Sequence, residues 1–457
     1  MLALRKLIEQ AAEREANKIR SLKRHKDETV AHLNVNHLLN GNRALPTMLC
    51  QTSNLHPTKG ILLRNLTVNN MLKLLPKING NRFPSIESIL WLLLTGSIPT
   101  HEQTNALVAD LAARSSSLPS HVEGLVRSLP SHMHPMTKFS IAILALQPTS
   151  SFLASPRASK QTRWILALND SLNLIAALPR LTGLIYRESS GKSSEQSPSH
   201  PSPSGDFCDR LYQDLGGIGD GLHEMLPELL RLHLVLHADH VGGNASTHTA
   251  RLVGSTLADP FLSLSAAMNA LAGPLHGRAS QDVLSFLESL RDDLRERKEA
   301  VSHENIRSAI WRTLNSGNVI PGYGHAVLRS ADPRYLAFRE FATELRSQHS
   351  RFGGELLELL NACLHVVPSV LREHGRTSNP HPNIDAHSGV LLDAFGLKNR
   401  ECYTVLFGVG RAFGILSQLV WDRALQLPIE RPKSVTADML LEAVSQNFPP
   451  SKPRARL

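Results

Sequence analysis

Apolar positions in this chain recur mostly every three to four residues, the mark of amphipathic and buried helices. Near the amino terminus Leu4, Ile8, Ala11, Ile19 and Leu22 fall on one face and predict a first helix. Thr29 to Val35 alternates with a period of two, which predicts a half-buried strand, one of very few. From Ile89 the pattern turns helical, with capping boxes expected at Thr100 to Gln103 and at Ser120 to Glu123. A helical stretch from Met225 to His240 puts His233, His237 and His240 on one face before Gly242-Gly243 ends it. Asp259-Pro260 signals a helix start before the apolar run Phe261 to Ala272, which Gly273-Pro274 stops so that His276 sits at the break. Amphipathic helices are expected between about residues 283 and 391, and a long one from Tyr403 to Leu425. The pattern contains no internal repeat, and the class it predicts is mostly α. One stretch departs from it: between Glu188 and Asp206 serine and proline dominate, too polar to offset the entropy of ordering, which predicts a mobile surface insertion with no catalytic role.

Length and composition narrow this picture. A chain of 457 residues suits about three domains, or one large helical unit with a smaller satellite. With 42% hydrophobic and 19% charged residues and no apolar run near the ~18 needed to span a bilayer, a soluble protein with no membrane partner is expected. The formal charge of +9 fits a solvated basic surface or anionic substrates. Apart from Lys18 to Lys26 the basic residues are scattered, and no zinc-finger or RNA-recognition signature accompanies them, which argues against nucleic acid. Cys50, Cys208, Cys363 and Cys402 form no CxxC pair, so reduced, buried thiols are expected rather than a disulfide framework or a zinc cluster. The spacing of His233, His237 and His240 would admit a metal, but no acidic or cysteine ligand is grouped with them, so none is expected. Glu9, Glu13 and Glu15 speak against an organelle transit peptide. Ala455-Arg456-Leu457 at the carboxy terminus is a variant of the Ser-Lys-Leu peroxisomal address, with cytoplasm or mitochondrion as alternatives.

The strongest chemical signal is Val319-Ile320-Pro321-Gly322-Tyr323-Gly324-His325-Ala326-Val327-Leu328-Arg329, followed by Asp332-Pro333-Arg334-Tyr335. Two glycines and a proline make a loop poor in side chains, where backbone groups can approach a ligand closely. A histidine and two arginines follow at once, as suits an anion with a polarisable oxygen.

Together with His237-Ala238-Asp239-His240-Val241-Gly242-Gly243-Asn244, Gly273-Pro274-Leu275-His276-Gly277, Pro382-Asn383-Ile384-Asp385-Ala386-His387 and Ile429-Glu430-Arg431-Pro432, this loop resembles, in order and approximate spacing, the eukaryotic-type citrate synthases. The resemblance spans roughly Leu4 to Asn447. It implies a two-domain helical fold: a large domain from residues 1–282 and 392–457, and a small one, 283–391, that closes over the substrates. It further implies an acyltransferase that condenses an acyl-CoA with oxaloacetate, giving citrate and free CoA in the simplest case, with no cofactor. Asp385 would take the proton next to the thioester, His276 would donate to the enol oxygen and His325 would polarise the ketone. His240, Arg334, Arg411 and, from the other subunit of a homodimer, Arg431 would hold oxaloacetate. Pro321, Gly322, Tyr323, Gly324, Arg329 and Arg64 would contact CoA.

The residue types suit those roles. A carboxylate becomes a stronger base when a closing domain strips its water. A histidine donor can stabilise an enolate by about 3 kcal/mol, and arginine forks match carboxylates as lysine does not. Three departures from the family pattern stand out: His56 to Asn65, where only Gly60, Ile61 and Arg64 agree with the usual Gly-Ile-Arg-Phe-Arg-Gly turn; Arg278-Ala279-Ser280 after His276; and His381 in place of an aromatic. They lie on the acyl side, so an alkylcitrate or 2-methylcitrate synthase with a longer acyl donor stands beside the acetyl reading, as does neutral drift. A metal-dependent hydrolase and an inert interaction protein of the same fold are the competing classes.

Overall fold

The computed structural model describes residues 1–43, 45–115, 118–191, 205–217, 223–349 and 352–447. Its centre is the Tyr403–Ala424 helix, buried on nearly every side. A helix that is apolar all round must find partners all round. This one packs against Arg163–Ser189, Leu226–His237, Ala245–Ser255, Pro260–Leu271 and Ile86–Thr95. It is also long and apolar enough to cross a bilayer, contrary to the expectation that no such run exists, but 94% of its apolar window is buried inside the protein. Each leucine or phenylalanine so buried contributes about 1.5–3 kcal/mol. One close approach fixes how the helix docks. A Cβ on Gly414 would lie 2.4 Å from Asp239 Oδ1, so only glycine lets the helix seat on the 238–239 segment, where its N–H donates to Ala238 O at 2.8 Å.

Ala279–Glu296, His303–Asn315, Glu355–His374 and Asp385–Ala394 pack chiefly on one another, and Pro333–Gln348 packs on Asp385–Ala394. This second group meets the first where Asp385–Ala394 touches Leu226–His237 and where Pro333–Gln348 touches a small sheet. The sheet is antiparallel, Ser53–His56 with Gly60–Leu63 and then Leu66–Thr67, in register Ser53↔Leu63 and Leu62↔Thr67. Arg64 and Asn65 between the last two strands both have positive φ, +47° and +68°, as a two-residue primed hairpin turn demands.

Several expectations hold. Thr100 forms its capping box with Gln103, Asp259 caps Pro260–Leu271 by accepting from the amides of Phe261 and Leu262, and Cys208, Cys363 and Cys402 are buried free thiols, with Cys50 half-buried. Others do not. No strand forms at Thr29 to Val35: Val30 is 84% exposed, no neighbouring strand offers a ladder, and Asn34 instead opens the Val35–Leu39 helix through a capping box with His37. The Ser120 box is absent because Pro119 occupies the cap position and no side chain bonds there. The first helix, Leu2–Leu22, buries Leu4, Ile8 and Ala11, but Leu22 lies beyond the core it packs on and is exposed. The insertion is narrower than expected, since Glu188 belongs to the Arg163–Ser189 helix and Asp206 is a buried cap of Phe207–Asp214. Residues 192–204 within it, and Ala455-Arg456-Leu457, lie outside the described residues.

Candidate active site

Where the two groups of helices meet, buried cations and neutral histidines gather. The three-histidine face does not form: the helix ends at His237, leaving His240 beyond it, while His233 and His237 stack with ring centroids 4.2 Å apart inside the core. No group of three metal-binding side chains occurs among the described residues. Burial and the charges of Arg334, Arg411 and His325 press the His240 imidazole well below its usual range, so it is neutral, and its Nδ1 is buried without a hydrogen-bond partner. An orphaned polar atom of this kind in a native fold calls for an explanation.

His276 follows the Pro260–Leu271 helix in a tight turn, its N–H donating to Gly273 O at 2.9 Å. The Ser246 amide donates to His276 Nε2 at 3.3 Å, and Ser246 Oγ lies 2.9 Å from the same nitrogen. Nε2 must therefore present a lone pair, and the ring proton sits on Nδ1. Burial, followed by the charge of Arg411, lowers the His276 pKa to about 4. His325 is arranged in mirror fashion. Its Nδ1 accepts from the amides of Val327 and Leu328, both at 3.0 Å, so its proton is on Nε2, and burial with Arg334 lowers its pKa as well. Two neutral imidazoles, each held in one tautomer by backbone amides, offer two fixed N–H donors.

Asp385 opens the Asp385–Ala394 helix, its amide bonded to Asn383 Oδ1 at 3.0 Å. Burial raises its pKa to about 6, against the pull of Arg334 and Arg411. Its carboxylate has no hydrogen-bond partner among the described residues. It is thus ionised near neutrality, poorly solvated and uncommitted, as a general base should be.

Arg334 is buried and paired with Asp332, NH2 to Oδ2 at 2.7 Å and Nε to Oδ1 at 3.1 Å. Arg411, 2% exposed, has no carboxylate partner; its Nε reaches His237 O at 3.3 Å, its NH1 reaches Asn244 Oδ1 at 3.0 Å, and it lies over the Phe407 ring. Burial lowers its pKa to about 10. A buried guanidinium without an acid is costly, and an anionic ligand is the natural counter-charge.

The glycine loop is clamped to the Asp385 segment: Tyr323 bridges Pro382, Gly324 N–H donates to His381 O at 3.1 Å and Asn383 N–H to Gly322 O at 2.9 Å. A Cβ on Gly322 would meet Val283 Cγ2 at 2.9 Å and Ala386 Cα at 3.1 Å, so the loop can seat only as glycine. Arg329 is exposed, with NH1 spent on the carbonyls of 326–328.

Two expected residues are not brought here. Arg64 bonds Leu93 O through Nε and NH2, at 3.1 and 2.7 Å, and stacks on Trp421. Arg431 is exposed and makes no hydrogen bond or ion pair among the described residues. Sequence reasoning missed Ser246 and assigned no role to Asn244 or Asp332. Ser246 sets the His276 tautomer, Asn244 holds Arg411, and Asp332 orients Arg334. Asn244 stands at the N-cap of Ala245–Ser255, yet its side chain makes no cap bond; its Oδ1 accepts from Arg411 NH1 and from Ser246 Oγ, both at 3.0 Å. Asp332 has two roles, since it also caps Pro333–Gln348 by accepting from the Arg334 amide.

A helical fold that gathers a base with a raised pKa, two tautomer-fixed donors and an unpaired buried cation beside a glycine loop is that of an acyl-condensing transferase. Residues 39–433 match the family model of the citrate synthase C-terminal domain. The chain is 44% identical over 427 residues to the peroxisomal citrate synthase of Saccharomyces cerevisiae, covering 93% of this chain and 89% of that protein. It is 44% identical over 432 residues to the mitochondrial 2-methylcitrate synthase of Yarrowia lipolytica, covering 93% and 90%. Among solved structures it resembles the ternary complex of Thermoplasma acidophilum citrate synthase with carboxymethyl coenzyme A and oxaloacetate, with TM-score 0.69, 21% identity and coverage of 87% and 95%. The chain belongs to the citrate synthase family, and it is an acyltransferase of that type.

Proposed function

We propose that this protein condenses an acyl-CoA with oxaloacetate and water to give a citrate and free CoA, using Asp385, His276 and His325. The observation that carries the reading is Arg411, a buried guanidinium without a carboxylate partner, set electrostatically beside Asp385, His240 and His276. Asp385 takes the proton from the carbon next to the thioester while Nδ1–H of His276 donates to the developing enol oxygen. That carbon then bonds to the ketone carbon of oxaloacetate, whose oxygen accepts from Nε2–H of His325. Water finally cleaves the thioester and the CoA thiol leaves. Arg334, Arg411 and His240 bind the two carboxylates and the ketone region, and Pro321 to Gly324 with Arg329 face CoA. No cofactor is needed. Arg64 is left out of the CoA site, because Leu93 O holds its Nε and NH2 in the wall of a different cavity. The group of helices spanning 283–391 is the closing domain.

Arg431, exposed on its own protomer, completes the neighbouring site of a homodimer. Inactive Arg431→Ala mixed with inactive Asp385→Asn regains activity in heterodimers under this assignment; no recovery after confirmed subunit exchange removes it. The carboxy-terminal tripeptide directs the protein to peroxisomes, which agrees with the similarity to a peroxisomal relative, and a fusion leaving that terminus free and staying in the cytosol or entering mitochondria overturns it. The acyl group is tested by thiol release with oxaloacetate and acetyl-, propionyl-, hexanoyl- and decanoyl-CoA. Equal identity to a citrate synthase and to a 2-methylcitrate synthase keeps both donors in view. A steep kcat/KM preference for acetyl-CoA makes the product citrate, a preference for longer chains makes it an alkylcitrate, and no release with any donor refutes the condensation.

A further inference from the structure

Behind the substrate cluster, the first helix, the small sheet and the end of the Tyr403–Ala424 helix enclose a second cavity of about 350 Å³, lined mainly by polar groups. Its inner wall is Arg64. The hairpin turn at Arg64-Asn65 holds this residue at positive φ and aims its side chain inward, where Trp421 supports one face of the guanidinium at 4.3 Å. Leu93 O accepts from Arg64 Nε and NH2 and from Trp421 Nε1, so the wall is rigid, while NH1 carries no bond. Arg64 forms no ion pair among the described residues, and burial lowers its pKa to about 10.

Arg14 and Lys18 of the first helix line the rim. The one acid among the described lining residues is Glu15, which already accepts from Lys18 Nζ at 2.7 Å. Three cations thus face one carboxylate, leaving an excess of two positive charges. The side-chain amides of Gln51, Asn54 and Asn65, also on the lining, have no hydrogen-bond partner among the described residues and can donate. A cavity with this charge excess and these donors matches a compact anion of charge −2 or −3 rather than an apolar ligand. Its volume holds a phosphate or a tricarboxylate.

We propose that this cavity is a binding site for a small multivalent oxyanion, a phosphate or a polycarboxylate, separate from the substrate site. Arg64 supplies its fixed inner charge, and Arg14 and Lys18 close on the anion from the rim. The two sites share a wall: Thr52, on the cavity lining, donates to Asp239 Oδ2 at 2.5 Å, and Asp239 accepts from the His240 amide at 2.9 Å.

The test is isothermal titration of the full-length protein with inorganic phosphate and, separately, with tricarballylate, repeated on Arg14→Ala/Lys18→Ala. Both substituted residues are exposed, so the variant keeps its fold, and neither belongs to the catalytic machinery, so thiol release without added anion stays at wild-type level. Anion bound at Arg334 and Arg411 is insensitive to this change, which separates the two sites. A loss of affinity of tenfold or more in the variant, for one anion or both, supports the site and names its chemistry. No binding of either anion, or equal affinity in the variant and the wild type, overturns it.

Discussion

Two regions of this molecule bury charge, and they do so in opposite ways. In the first, Arg231 donates to both oxygens of Asp206, at 2.7 and 3.0 Å, to Glu228 at 2.9 Å and to Asp209, while Arg210 stands 3.6 Å from Glu87. Four acids and two arginines gather there, each within ion-pair distance of an opposite charge, although Arg210 Nε and NH2 and Glu87 Oε2 have no hydrogen-bond partner. In the second, Arg411 forms no ion pair among the described residues, Asp385 accepts no hydrogen bond, and His240 Nδ1 is orphaned. The first arrangement balances each arginine with an acid and is structural. The second is unsatisfied in a consistent sense, with positive charge and free donors awaiting an anion, and that asymmetry distinguishes a site from a brace.

The largest expected effect is on chemistry. Asp385→Asn lowers kcat by 10²-fold or more, on the scale of a lost general base, while the protein stays folded. Because burial raises the folded pKa of Asp385 to about 6, above the ordinary ~3.9, its stabilising contribution is complete below the lower value and is lost as pH rises through about 6. The Asn variant is therefore the more stable protein at pH 8, and wild-type kcat/KM rises with pH through about 6 as the base ionises. A variant that melts earlier than wild type at pH 8 contradicts this account.

A matched pair tests the comparison directly. Arg231→Met strands Asp206 and Glu228 and costs about 3–5 kcal/mol in denaturant unfolding. Arg411→Met breaks no ion pair, costs less than about 1 kcal/mol, and instead abolishes saturation by oxaloacetate. If the two variants unfold alike, the distinction between brace and site fails.

Within the first network, Glu87 is the weak point. Its Oε1 accepts from the Phe207 amide at 2.8 Å, but Oε2 has no partner, and burial with Asp206 lifts its pKa to about 7. Its contribution is complete below the ordinary carboxylate range and lost as pH rises through about 7. Stability therefore falls between about pH 4.5 and about 7, by on the order of 3 kcal/mol, and levels off above that; Glu87→Gln flattens the melting profile over that interval, and an unchanged slope refutes the assignment.

The smallest effect expected is at Ser246. Removing its hydroxyl by Ser246→Ala leaves the backbone amide on His276 Nε2 and costs about 1 kcal/mol of kcat, with KM for oxaloacetate nearly unchanged. A change in KM alone would mean that Ser246 touches the substrate rather than positioning the histidine.

The helical class, the caps at Thr100 and Asp259, the central helix and the order of the motifs were legible in the chain, because hydrophobic period, capping and loop chemistry are local and leave their mark within a few residues. The residues proposed to be catalytic were named through motif resemblance, which is local in the same way. The failures share a cause. Thr29 to Val35 has strand periodicity but no partner strand, and whether a ladder forms depends on residues elsewhere. Arg64 matches a motif, yet the turn that holds it and the carbonyl of Leu93 that takes its fork belong to separate segments. The tautomers of His276 and His325, the lone charge of Arg411 and the raised pKa of Asp385 arise only where distant elements meet and exclude water. Hydrogen-bond partners and desolvation are properties of that meeting, so the chain determined which groups are available and the tertiary structure decided what state each one is in.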